Sequence, residues 1–312
     1  MADEPNPPAT DEAPEKGLAD LLAEALRLYR AHARPMLLIC ALLFVPASLA
    51  KSCVLSAVLT PPVANVSELA RAAAASERAL TDAYTHNADA ATIIRLQHEN
   101  QARLEELARL AEGPGHITLW FLGVLAKLVS ALAFGLAVPL IGGAITIAVA
   151  DRMTGGNSGW VETWMLLLGR AGPLLAAIVP AAGLIAIGHV LWVIPGLVAA
   201  FFFALVAQIA VVEGLRGAAA LRRSAELVGA DWLRIALLLA LFGALVWAAG
   251  LLADLVVPDS AVFLTHLVGD LLTLAVMPLP LIAAALLYLD LRRRRDRFSD
   301  ADLRAALTSL RA

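Results

Sequence analysis

Six long apolar runs dominate this chain, and they leave one kind of fold open to it. They cover 36–59, 117–150, 171–194, 196–212, 233–257 and 261–289. A helix needs about 20 mostly apolar residues to cross the hydrocarbon core of a bilayer. In that medium every backbone amide and carbonyl must be satisfied within the protein, which favours helices. Composition agrees: 60% of residues are hydrophobic and 16% charged, against about 45–50% and about 25% in a soluble domain. The runs predict an all-α, polytopic integral membrane protein with six transmembrane helices.

The run 117–150 is longer than a crossing needs. At 1.5 Å per residue a straight helix of that length reaches about 51 Å, against about 30 Å of hydrocarbon. Two crossings and a turn do not fit. One crossing is expected, bent near Pro139 or Gly142-Gly143.

The segments between the runs carry the polar residues. Residues 1–16 are acidic and Pro-rich, the reverse of a basic signal-peptide start, and read as a disordered tail. Residues 17–312 read as a single membrane domain. In 17–33, Leu18, Leu21, Leu22, Ala25 and Tyr29 fall on one helical face and Asp20, Glu24 and Arg27 on the other. That helix suits either the membrane interface or a place against the end of the bundle.

The long segment 60–115 holds two helical patterns, about 66–84 and 90–112, which predict an antiparallel helical hairpin. Its stripe of Leu69, Ala73, Leu80, Ile93, Leu96, Leu104 and Leu107 is interrupted by Ser76, Gln97 and Asn100. A seam so weak needs the bundle or a partner protein to dock on.

Residues 161–170 predict a second interfacial helix, with Trp160 and Trp164 at headgroup level. Residues 215–229 predict a third, with Arg222, Arg223 and Glu226 on its wet side. Pro195-Gly196 and 258–260 read as turns. The basic tail 290–312 begins with Arg292, Arg293, Arg294 and Arg295, a stop signal and an anionic-lipid contact. Ser299 and Asp302 form a capping-box pattern for a last helix, 300–310. Three times, then, a short amphipathic helix leads into an apolar pair, the pattern of an internal repeat.

Arginine sets the expected orientation. With six crossings both termini share one side, which collects Arg27, Arg30, Arg34, Arg152, Arg170, Arg216, Arg222, Arg223, Arg234 and the 292–297 cluster. The opposite short turns carry no Lys or Arg. The termini are therefore expected in the cytoplasm, the hairpin outside, and the protein in the cytoplasmic membrane.

No nucleotide loop, zinc signature, nucleophile elbow or cysteine cluster occurs, so no catalytic residue, metal or cofactor is expected and no nucleic acid. Cys40 and Cys53 lie too far apart on one helix to bridge and read as buried free thiols. Charge inside the runs is the one suggestive constellation. Counted from the outer ends, Lys51, Lys127 and Asp270 lie about 12–17 Å deep and His266 about 7 Å. Asp254 and His189 lie nearer the surface. Such groups are costly in a bilayer. They fit either a structural Lys–Asp pair or a polar cavity for an ion, a proton or a lipid headgroup. Glu213, beside Arg216 at a span end, fits a cap or an ion pair.

The stretch IPGLVAAFFFALVAQIAVVEGLRGAAALRRSAELVGADW, residues 194–232, resembles the membrane-domain family named after glycerophosphoryl diester phosphodiesterase and related uncharacterised six-span bacterial proteins. Pro195-Gly196, Glu213-Gly214, Ala220-Leu221, Ser224 and Trp232 carry the resemblance. The chain departs from that pattern at Gln208, where Pro is common. The phosphodiesterase activity of that name belongs to a separate barrel domain, with a His-Arg pair and a Glu-based metal site that have no counterpart here. The resemblance implies a membrane module without the enzyme. The expected function is a non-enzymatic module that binds membrane lipids or a protein partner. The alternative is a small transporter or lipid-handling protein built on Lys51, Lys127 and Asp270.

Overall fold

The computed structural model describes residues 17–86, 88–112, 114–257 and 262–311. The acidic tail, the 258–260 turn and the side chains of Lys127 and Cys53 lie outside that description. The described residues form helices and connecting turns: α1 (Leu18–Ala31), α2 (Ala33–Thr85), α3 (Ala90–Glu112), α4 (Pro114–Met153), α5 (Trp160–Gly169), α6 (Ala171–Leu191), α7 (Val193–Phe202), α8 (Val206–Val212), α9 (Gly217–Ala230), α10 (Trp232–Val256), α11 (Val262–Val276), α12 (Pro278–Asp296) and α13 (Asp300–Arg311). Six stretches are long and apolar enough to cross a membrane: Ala33–Ser52, Leu132–Met153, Ala171–His189, Ile194–Val212, Trp232–Val256 and Leu264–Asp296. The protein is an all-α, multi-pass membrane protein.

α4 is the central post. Every residue from Ile141 to Ala150 on it is buried, and small residues let its neighbours approach closely. Gly143 is one such place: an added Cβ would lie 3.1 Å from Val211 and 3.2 Å from Leu167. The helix passes through Pro139 without ending.

Several boundaries differ from expectation. The first arm of the hairpin is not a separate helix, because α2 continues unbroken from its membrane segment to Thr85. The Ala-rich sequence beyond residue 63 supports helix strongly enough to carry the chain through Pro61-Pro62. The polar interruptions of the hairpin are its fasteners. Ser76 Oγ bonds Asn100 Oδ1 at 3.0 Å, Gln97 Nε2 donates to Tyr84 Oη at 2.7 Å, and Arg103 donates to the Ala72 carbonyl at 2.7 Å. Leu104, expected in the seam, is exposed.

Pro195-Gly196 is not the turn. The chain turns at Trp192, and Pro195 sits in the first turn of α7, where its missing N–H costs no helical bond. Gly196 is needed for the crossing with α6: a Cβ there would fall 2.2 Å from His189 Nδ1. Trp164, expected at the interface, is packed into the core and is 9% exposed.

Each amphipathic helix packs against the second span of the preceding pair: α5 on α4, α9 on α8, and α1 on α12. Of the two placements open to residues 17–33, the helix takes the one against the bundle, burying Leu21 and Ala25.

Candidate functional site

Two crossings are broken helices, and each break is answered by an amphipathic helix. The fourth crossing divides into α7 and α8 at 203–205. Ser224 of α9, fully buried, donates from Oγ to the Phe202 carbonyl at 2.8 Å and accepts from the Leu205 amide at 3.3 Å. The sixth divides into α11 and α12 at Met277, just before Pro278, which has no amide hydrogen. There Tyr29 of α1 donates to the Ala275 carbonyl at 2.6 Å. Burial pushes the Tyr29 phenol above its ordinary pKa, which keeps it a donor.

The second span of each pair carries an acid near one end: Asp151, Glu213 and Asp290. All three stand at one end of the bundle and all bind arginine. Asp151, 1% exposed, takes Arg311 at 2.8 Å and the Ser158 amide at 2.8 Å. Glu213 takes the Tyr288 hydroxyl at 2.9 Å, Arg223 at 3.4 Å and Arg292 at 3.9 Å. Asp290 takes Arg294 at 3.0 Å and Arg234 at 3.3 Å, and Asp231 joins the same two arginines. Glu213 thus forms the expected ion pair with arginines other than Arg216. Gly214 follows it at φ +69, a left-handed turn in which a side chain is strained.

The basic run is largely turned inward. Arg292 pairs with Asp296 at 3.0 Å and lies 4.0 Å over the Phe298 ring, Arg293 pairs with Asp300 at 2.6 Å, and Arg294 is in the cluster above. Arg295 is exposed. Of the motif residues, Trp232 is 59% exposed at the start of α10.

Toward the opposite end, Lys51 and Asp270 meet, as their opposite charges inside the apolar runs suggested. Lys51 Nζ lies 2.6 Å from Asp270 Oδ1, and Ser48, one turn earlier on α2, donates to Oδ2 at 2.5 Å. The ammonium stands 5.3 Å over the Phe134 ring, which packs edge-on against Phe44. His266 is half-buried a turn before Asp270, while Asp254 and His189 are exposed. His189 bonds its own helix at the Ile185 carbonyl, 2.9 Å away. Among the described residues these three make no polar contact with the pair. Among the described residues the expected cluster is a compact Ser–Asp–Lys set, and Ser48 was visible in the sequence only as a hydroxyl one turn from a lysine.

A cavity of about 230 Å³ lies between α4, α7–α8, α10 and α12, beside the first break. Phe134, Phe203, Leu239, Phe242 and Leu281 form its apolar wall, and Gln208 is the polar residue in it. Phe134 therefore has the Lys51 ammonium over its ring and also lines the cavity. The α10 wall is thin: that span is only 17% buried within the protein, and it packs on α11 far more than on α7. Gln208 is 3% exposed, and among the described residues its Oε1 has no hydrogen-bond partner. No family model, curated protein or solved structure matches this chain.

Proposed function

We propose that this protein is a non-enzymatic, multi-pass module of a bacterial-type cytoplasmic membrane that binds lipid within its own bundle. The observation that carries the reading is the apolar cavity at the thin joint between α7–α8 and α10. A well-formed apolar pocket with few polar groups is the usual form of a small-ligand site. This one has bilayer as its neighbour, since α10 turns Trp247 and Leu255 outward at 70% and 80% exposure. The acids at the arginine-rich end serve as ion-pair partners, a structural duty rather than a catalytic one.

Both termini lie in the cytoplasm on this reading, because the arginine networks gather at one end of the bundle with α1 and α13. The hairpin then stands outside, where it can meet a protein partner. Membership of the glycerophosphoryl diester phosphodiesterase membrane-domain family belongs to the same proposal. Its support is that Gly196, Gly214 and Ser224 occupy a helix crossing, a left-handed turn and a helix break.

The test is lipid retention. The full chain, purified in detergent, is expected to carry lipid visible by native mass spectrometry. Gly142→Leu with Ala284→Phe, which fill the cavity, should strip it while thermal unfolding stays cooperative. Equal lipid content in both proteins defeats the proposal. A second reading, a transporter or lipid-handling protein working through Lys51 and Asp270, draws on the Ser48–Asp270–Lys51 set. It requires that Asp270→Asn abolish solute or lipid movement in vesicles without emptying the cavity.

A further inference from the structure

We propose that the cavity selects a neutral lipid bearing a free hydroxyl, and that Gln208 is the residue that reads it. This rests on the lipid-binding reading above. Gln208 projects from α8 into an otherwise apolar space and is 3% exposed, with its amide oxygen unanswered. Leaving a buried polar atom unpaired is costly, so a group supplied from outside is the natural partner. A hydroxyl suits it, because it both donates and accepts and so answers either end of a carboxamide.

Charge and depth narrow the class further. Among the described residues no ionisable side chain lines the cavity, so an ionic headgroup entering it would lose its water without gaining a counter-charge. Gln208 stands five residues before Glu213, about 7–8 Å along the helix from the arginine networks. That is within the depth of one leaflet, below the headgroups, where a small uncharged polar end of a lipid can reach. At about 230 Å³ the cavity is smaller than the about 300 Å³ that encloses a whole drug-sized ligand. It takes the hydroxyl end and part of one chain, and the remaining chain passes out across the thin α10 joint. The ligand class is a diacylglycerol-like or monoacylglycerol-like amphiphile.

The test uses the full chain in lipid nanodiscs with two probes, a 1,2-diacylglycerol and its 3-O-methyl ether, each carrying a photoreactive chain. Labelling yield is measured for the wild type and for Gln208→Leu, a near-isosteric change. The wild type should favour the free hydroxyl by about tenfold, the scale of one buried hydrogen bond. Gln208→Leu should label with both probes and lose the preference. Equal labelling of the wild type by both probes overturns the proposal, as does a preference that survives Gln208→Leu. If phospholipid co-purifies but neither probe labels, the hydroxyl reading falls and lipid binding stands. If no lipid of any class binds, both fall.

Discussion

The hydroxyl of Ser224 bonds the carbonyl of Phe202 at 2.8 Å, and so a side chain of an amphipathic helix takes the place of a missing helical bond inside a membrane crossing. The same oxygen accepts from Leu205 at 3.3 Å, so one residue answers both sides of the break. Ser224→Ala leaves a buried carbonyl and a buried amide together. It is expected to destabilise the protein by about 1–3 kcal/mol, read as a lower thermal midpoint in detergent. Tyr29→Phe at the other break strands only the Ala275 carbonyl and should cost less. An unchanged midpoint for Ser224→Ala would show that α7 and α8 rejoin without it.

Asp270 and Lys51 should behave as a unit. Either alanine substitution leaves the other charge with less than 25% exposure, since the side chains are 21% and 13% exposed in the pair. Breaking a fully buried pair costs about 3–5 kcal/mol, and residual solvent here lowers the expectation to about 1–3 kcal/mol. Lys51→Met with Asp270→Leu should recover much of the loss, because both charges leave together. A thermal-unfolding double-mutant cycle measures the coupling, and strictly additive losses would mean that the two side chains act independently.

Gln208 makes the opposite prediction. Replacing an unpaired buried amide by an apolar group removes a desolvation penalty, so Gln208→Leu in delipidated protein should raise stability by about 1–3 kcal/mol. With a hydroxyl lipid bound to the wild type, the gap should narrow. The comparison needs only thermal midpoints with and without added diacylglycerol.

The crossings were legible because each apolar run exceeds what a bilayer needs, and Asp270 with Lys51 because opposite charges inside such runs seek each other. The last helix was equally plain, since Ser299 and Asp302 stand at capping-box spacing before it. The break at 203–205 was not. Phe201-Phe202-Phe203 carries no Pro or Gly, and the helix ends there because Ser224, far off in sequence, offers its backbone another partner. The same is true of the continuous α2, where local turn signals at Pro61-Pro62 lost to the helix-forming residues around them. Trp164 reads as interfacial by type, and its burial depends on which face of α5 packs into the core. The acids on the second span of each pair carry no motif that marks them as a set, although Pro139 to Asp151 and Pro278 to Asp290 share a spacing of 12 residues.

Asp151 holds the loop after α4 and the end of the chain together, and Gly156 is what lets it. A Cβ on Gly156 would lie 2.1 Å from Asp151 Oδ1. Asp151 cannot yield, because it already binds the Ser158 amide and Arg311. Gly156→Ala should therefore cost about 1–3 kcal/mol, the range for overpacking a filled site, and loosen α13. Gly159→Ala, where nothing lies within 4 Å, is the neutral control. Limited proteolysis reads the release of α13, and equal cleavage of the two variants would refute the link.

The start of α13 should be sensitive to acid. Asp302 accepts the Ser299 amide at 2.8 Å and the Ser299 hydroxyl at 2.7 Å. Those two bonds hold its carboxyl below the usual Asp value, and α13 lies outside the crossings. A carboxyl whose folded value is depressed lends stability above its unfolded pKa, about 3.9 for an ordinary Asp. That contribution fades as pH drops through the lower folded value. The first turn of α13 should therefore hold at neutral pH and fray in acid below the ordinary Asp range. Arg311, anchored on Asp151 at 2.8 Å, keeps the far end of the helix docked meanwhile. Amide exchange at Leu303 tracks the event, since its N–H bonds the Ser299 carbonyl at 3.1 Å. Asp302→Asn keeps an acceptor but cannot titrate, so its Leu303 exchange should lose the acid-induced opening seen in the wild type. If both proteins open together as pH falls, the cap does not control the fraying, and a carboxyl elsewhere does.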